Sequence, residues 1–104
     1  MKIALASDLH GQAATLFYLE YILDCEKPDA IILSGDLSSE NLEFFRKLED
    51  ELKKYPQAFL IGGNADQSIS KEIEDSGFSI NEKCKRFKDI KLCGLSYPEE
   101  STKV

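Results

Sequence analysis

Asp8, His10, Asp36 and Asn64 are the side chains of this sequence best suited to holding a divalent cation, and each follows an apolar run. Ile3-Ala4-Leu5-Ala6 leads into Ser7-Asp8-Leu9-His10-Gly11, and Ala30-Ile31-Ile32-Leu33 into Ser34-Gly35-Asp36. Ala58-Phe59-Leu60-Ile61 leads into Gly62-Gly63-Asn64-Ala65-Asp66. The intervals are equal, with 28 residues from Asp8 to Asp36 and 28 from Asp36 to Asn64. A carboxylate with an imidazole is a ligand mix for Mn²⁺, iron or Zn²⁺ rather than the all-oxygen set preferred by Ca²⁺. Asp8 and His10 differ by two positions, so just past a strand both side chains can project to one side. Asp36 follows a glycine that permits a sharp turn, and a central carboxylate can bridge two cations. Asn64 adds a neutral amide oxygen suited to the second of them. Two cations about 3.5–4 Å apart would clamp a phosphate and acidify a bridging water. Each residue alone has an ordinary explanation: a helix cap for Asp8, a turn for Asp36 or Asn64, a structural role for His10. The conjunction at one sheet edge is what carries the metal reading.

The elements that must position these residues are legible as hydrophobic periodicity. Residues 2–6 read as a buried strand, followed by a helix over about 12–25 with Leu16, Leu19, Ile22 and Leu23 near one face. Pro28 blocks its continuation and leads into a second strand at 30–33. The clearest helix carries Leu42, Phe45, Leu48, Leu52 and Tyr55 at three- and four-residue steps. Ser38 or Ser39 is its expected cap, with Glu40 and Glu43 at the positive end of its dipole. Pro56 separates it from the third strand, and a shorter helix over 67–76 turns Ile69 and Ile73 inward and ends at Gly77. The rhythm then changes to a hairpin, about 82–87 and 90–95, before a polar tail over 96–104. The expected class is therefore α/β, a βαβαβα parallel sheet followed by a β-hairpin. Strands apolar throughout imply a sheet covered on both faces, with ligands beyond its carboxyl edge.

A chain of 104 residues fits one domain, here 1–95, with the polar tail over 96–104, and has no apolar stretch long enough to span a membrane or to form a signal-peptide core. A cytoplasmic location is the expectation. The net charge of −6, from 13 basic and 19 acidic side chains, argues against non-specific nucleic-acid binding. Lys83, Lys85, Arg86, Lys88 and Lys91 form a local exception, read first as a solvated hairpin surface and second as a contact for an acidic partner. Cys25 reads as a small buried residue. Cys84 and Cys93 face each other if Lys88-Asp89 is a two-residue turn, although in the cytoplasm two thiols are the default.

Asp8-x-His10-Gly11, Gly35-Asp36 and Gly63-Asn64-x-Asp66 resemble the first three signature blocks of the calcineurin-like metallophosphoesterases. The resemblance covers about the first two-thirds of the chain and implies the amino-terminal half of that family's two-sheet sandwich. It implies that Asp8 and His10 hold a first metal, that Asp36 bridges, and that Asn64 binds a second metal and a phosphate oxygen. Asp66 would orient its loop. The cofactor implied is one or two divalent ions, Mn first, with Fe, Zn, Ni or Mg as other occupants. The implied reaction is hydrolysis of a phosphomonoester or phosphodiester by metal-bound hydroxide. Two departures stand out. Ala65 occupies the place of a histidine that protonates the leaving group in many members, and His10 is the only histidine, so the family's later histidine blocks have no counterpart. Three readings follow: an impaired or minimal phosphoesterase, a non-catalytic interaction module, or one half of a split enzyme. A homo-oligomer, or a second chain completing the sandwich, is the expected partner.

Overall fold

The computed structural model describes residues 1–38, 41–55 and 57–95, leaving aside the side chains of Asn64, Ala65 and Gln67. Three parallel strands, β1 (Ile3–Ser7), β2 (Ala30–Gly35) and β3 (Ala58–Gly62), lie side by side in chain order. Helices α1 (Ala13–Glu26) and α2 (Leu42–Leu52) make the crossovers. After β3 come a 3₁₀ turn (Asn64–Ile69) and α3 (Ser70–Asp75), then an antiparallel hairpin of β4 (Cys84–Phe87) and β5 (Ile90–Cys93). The expected 67–76 helix is thus divided, and Gly77 ends it in a left-handed conformation at φ +86°. The polar tail expected over 96–104 lies outside the described residues.

The parallel register aligns Ser7 with Ser34 and Gly35 with Gly62, so the three strands stop at a common edge. Everything that follows the strands is therefore delivered to one place. Residues 78–80 extend the sheet beyond β3, through Leu60 N–H to Phe78 O and Ile80 N–H to Leu60 O, both 2.9 Å. Among the described residues, β1 has no strand on its other side.

Apolar strands lead one to expect a sheet covered on both faces, and the structure covers one face fully and the other only in part. Leu16, Leu19 and Leu23 of α1, Phe44, Phe45, Leu48 and Leu52 of α2, and Ile73 of α3 join one core. The same core takes Ile31, Leu33 and Leu60 from the sheet, with Ala4 and Ala6 packed against it. All three helices lie on one face, because right-handed connections between adjacent parallel strands return on the same side. The hairpin covers only part of the other, where Phe87 packs with Ala30, Phe59 and Ile80. Over β1 that face stays open, and Leu5 is 73 % exposed.

Local details also differ from expectation. The α2 cap is Asn41, whose side-chain oxygen accepts from Phe44 N–H at 3.0 Å. Ser38, one of the two serines expected there, is buried and engaged elsewhere, and the other, Ser39, lies outside the described residues. Cys25 is exposed rather than buried, since the buried stripe of α1 runs through Leu16, Leu19 and Leu23. Lys88 and Asp89 form the hairpin turn, Cys84 lies opposite Cys93, and the two are joined as a disulfide. The basic hairpin is in part tied down: Lys83 pairs with Glu74 at 3.3 Å and Lys85 donates to Gly77 O at 2.8 Å. No helix among the described residues is long and apolar enough to cross a membrane.

Candidate metal centre

Past the strand ends, the β1 and β2 loops are laced together by their backbones. Asp8 N–H donates to Ser34 O at 3.0 Å, His10 N–H to Asp36 O at 2.8 Å and Gly11 N–H to Leu37 O at 3.1 Å. Asp8 and His10 both adopt left-handed backbone, each at φ 57°, and Leu9 between them is buried in the helix-side core. The two side chains do meet on one side, but not by the strand-like alternation expected from their spacing. A buried leucine flanked by two left-handed residues achieves it, at a cost of about 1–2 kcal/mol for each.

Ligand atoms of Asp8, His10 and Asp36 all lie within 4.8 Å of one another, with Asp8 and His10 exposed and Asp36 half-buried. Two carboxylates and an imidazole around a cation at about 2.1 Å would stand no more than about 4.2 Å apart. The observed cluster therefore fits a divalent ion after a small side-chain closure, and its donor set suits Mn²⁺, iron or Zn²⁺.

Two glycines make room for this approach. Gly35 has φ +83°, and a Cβ there would lie 2.6 Å from Asp8 Oδ1. Gly63 has no such backbone requirement; a Cβ on it would run into the Asp36 carboxylate and lie 2.6 Å from the Gly35 carbonyl carbon. Of the Gly62-Gly63 pair, Gly63 is thus needed for space rather than for a left-handed turn, while a Cβ at Gly62 would meet only ordinary contacts, the nearest at 3.4 Å.

Asp66 sits behind the cluster and is only 2 % exposed. Its Oδ2 accepts from Leu37 N–H at 2.8 Å and Gly63 N–H at 2.9 Å, and its Oδ1 from Ser38 N–H at 2.9 Å. One carboxylate thereby fixes the loop that follows Asp36 to the loop that precedes Asn64. Charge-assisted bonds of this kind are about twice as strong as neutral ones. The Asn64 side chain lies outside the described residues, although its backbone opens the 3₁₀ turn at the same sheet edge. Asn81 was not foreseen from the sequence. Its Oδ1 accepts from Gly62 N–H at 3.1 Å and pins the end of β3. The contact spans 19 residues, and no local pattern around Asn81 announces it.

Against this geometry the family comparison is informative. The family model described as calcineurin-like phosphoesterase matches residues 1–100. No curated protein and no solved structure gave a match.

Proposed function

The chain belongs to the calcineurin-like phosphoesterase family, and from that premise we propose that it is a metal-dependent hydrolase of phosphate esters. The supporting observation is the approach of Asp8, His10 and Asp36 to within 4.8 Å at the common end of three parallel strands. Asp8 and His10 would hold one ion, Asp36 would serve it and a second, and Asn64 would add its amide oxygen. A divalent cation bound there supplies Lewis-acid polarisation of the phosphoryl oxygen and a water of lowered pKa.

The chain's own contribution is positional. Leu9 anchors the Asp8–His10 loop in the core, Asp66 holds the Asp36 loop, and Gly63 leaves the Asp36 carboxylate room to turn toward its neighbours. Ala65 carries no titratable proton, so departure of the alcohol receives no help from that position. General-acid assistance contributes about 10²–10⁴-fold. Esters whose leaving group needs no proton, such as nitrophenyl phosphates, are therefore the favoured substrates. A divalent ion, with manganese the first choice, is the proposed cofactor.

The test is a pair of measurements on the purified chain. Hydrolysis of bis-p-nitrophenyl phosphate should require added Mn²⁺, and Asp36→Ala should abolish both the activity and calorimetric Mn²⁺ binding. Activity that survives Asp36→Ala would rule the reading out.

A further inference from the structure

We propose that two copies of this chain associate about a two-fold axis through Leu5, joining their β1 edges and packing α1 against α1. This goes beyond the phosphoesterase reading and does not depend on it. It begins with a helix that is apolar on two opposite sides. The face made by Leu16, Leu19 and Leu23 is buried, yet Phe17, Tyr18 and Tyr21 are each about two-thirds exposed, and Ile22 is half exposed. A helix that is hydrophobic all round is normally covered all round.

Two of the three acidic residues of α1 are sorted to one flank. At about 100° per residue, Glu20 and Asp24 lie opposite Tyr18 and Ile22. The acidic flank is the one toward α2: both carboxylates act on Lys54, just past the α2 terminus, and Glu20 lines a cleft with Lys47. Tyr18 and Ile22 therefore face away from α2, over the free side of β1. Glu26, the remaining carboxylate, stands at the end of that flank and is paired with Lys2 of the same chain at 3.1 Å, so the stretch about Tyr18 meets a second copy without opposing like charges.

Beneath that flank the strand edge is open and in a definite phase. Lys2 O and Asp8 N–H bond inward, to Asp29 N–H and Ser34 O. Backbone groups alternate along a strand, so Ile3, Leu5 and Ser7 direct theirs outward. An antiparallel two-fold through Leu5 pairs Leu5 with Leu5 and Ile3 with Ser7, since 3 + 7 equals 5 + 5, and satisfies all of these groups at once. It also places the helices correctly. α1 packs over the β1–β2 pair, so two copies about the axis stand two strand spacings apart, about 10 Å. That is the distance at which helices pack.

Tyr18 and Tyr21, rings of about 200 Å² each and two-thirds exposed, present about 270 Å² per copy, Phe17 lying instead in the α2-side cleft with Glu20 and Lys47. Ile22, Leu5 and the strand edge extend this toward the roughly 800 Å² per partner of a stable interface. Because Ser7 pairs with Ile3, the two metal centres fall at opposite ends of the joined strands, and neither copy lends ligands to the other.

The experiment combines mass and cross-linking. Sedimentation equilibrium should give a dimer for the wild type, and Tyr18→Glu/Ile22→Glu should give a monomer with unchanged far-ultraviolet circular dichroism. In a Cys25→Ser background, Leu5→Cys should form a disulfide-linked dimer on mild oxidation, because directly paired Cα atoms lie about 5.5 Å apart. Ile3→Cys should not, its copies being about 13 Å apart. A monomeric wild type, or equal cross-linking at positions 3 and 5, would overturn the proposal. So would a dimer that survives both charges.

Discussion

Replacing Asp66 by asparagine keeps the shape of the side chain and removes one acceptor. In the native structure Oδ2 accepts two backbone N–H groups and Oδ1 a third, all at 2.8–2.9 Å. An amide has one oxygen. Its better orientation leaves that oxygen on Leu37 and Gly63 and turns the NH₂ group toward Ser38 N–H, so one buried donor faces another. An orphaned buried donor costs about 1–3 kcal/mol, and the two retained bonds lose their charge assistance, about 1 kcal/mol each. Relief of burying a carboxylate offsets part of this, leaving about 3 kcal/mol. For a domain of this size that lowers Tm by about 10–20 °C. Urea unfolding at neutral pH reads the stability directly, with the slope expected to stay constant. The same bonds hold the loop bearing Asp36, so calorimetric Mn²⁺ affinity should fall about 10–100-fold, as for other residues that orient metal ligands. An Asp66→Asn protein within about 0.5 kcal/mol of wild type, binding Mn²⁺ equally well, would show that other contacts hold this loop.

Three further outcomes follow from other parts of the structure. Gly63→Ala should lose about 1–3 kcal/mol and weaken Mn²⁺ binding, because its Cβ meets the Asp36 carboxylate and neighbouring backbone; unfolding and calorimetry check both. Reducing the Cys84–Cys93 bond should destabilise the chain by about 2.5 kcal/mol, from the loop of 9 residues' separation that it closes, and a Cys84→Ser/Cys93→Ser variant should not respond to reductant. The Ser79 hydroxyl, and then Lys83, hold the Glu74 carboxyl below the usual carboxylate range. A depressed folded pKa adds stability above the unfolded value and loses it as pH falls through the folded one. Tm should therefore drop more steeply for wild type than for Glu74→Gln between about pH 5 and 3, and parallel acid profiles would refute the role given to Ser79 and Lys83.

The approach of Asp8, His10 and Asp36 in the candidate site was legible because these residue types recur at a fixed interval, and equal βα units deliver equal positions to one sheet edge. The register of Ser7 with Ser34 and Gly35 with Gly62 is that interval made physical. What escaped the sequence was geometry set by handedness and by distant contacts. Apolar strands suggested cover on both faces, yet adjacent strands in chain order send every right-handed crossover to the same side, and Leu5 is left bare. Ser38 and Asn41 are both competent helix caps by type. Only the buried Asp66 decides between them, by drawing Ser38 away. The hairpin turn and the facing of Cys84 and Cys93 were readable, because a two-residue turn fixes its own register, whereas the bond between them departs from the expected pair of thiols.

The left-handed backbone at Asp8 and His10 has a consequence for how this loop would evolve or be redesigned. These are positions that the fold alone would assign to glycine, which adopts such angles without penalty. Asp8→Gly and His10→Gly should each relieve about 1–2 kcal/mol of backbone strain, offset by the loss of each side chain's own contacts, such as Asp36 N–H to Asp8 Oδ1 at 3.5 Å, while removing a proposed ligand. The proposed cation binding and thermal tolerance are in opposition at these two residues, and a search for sturdier variants that ignored the proposed ion would dismantle the candidate centre first.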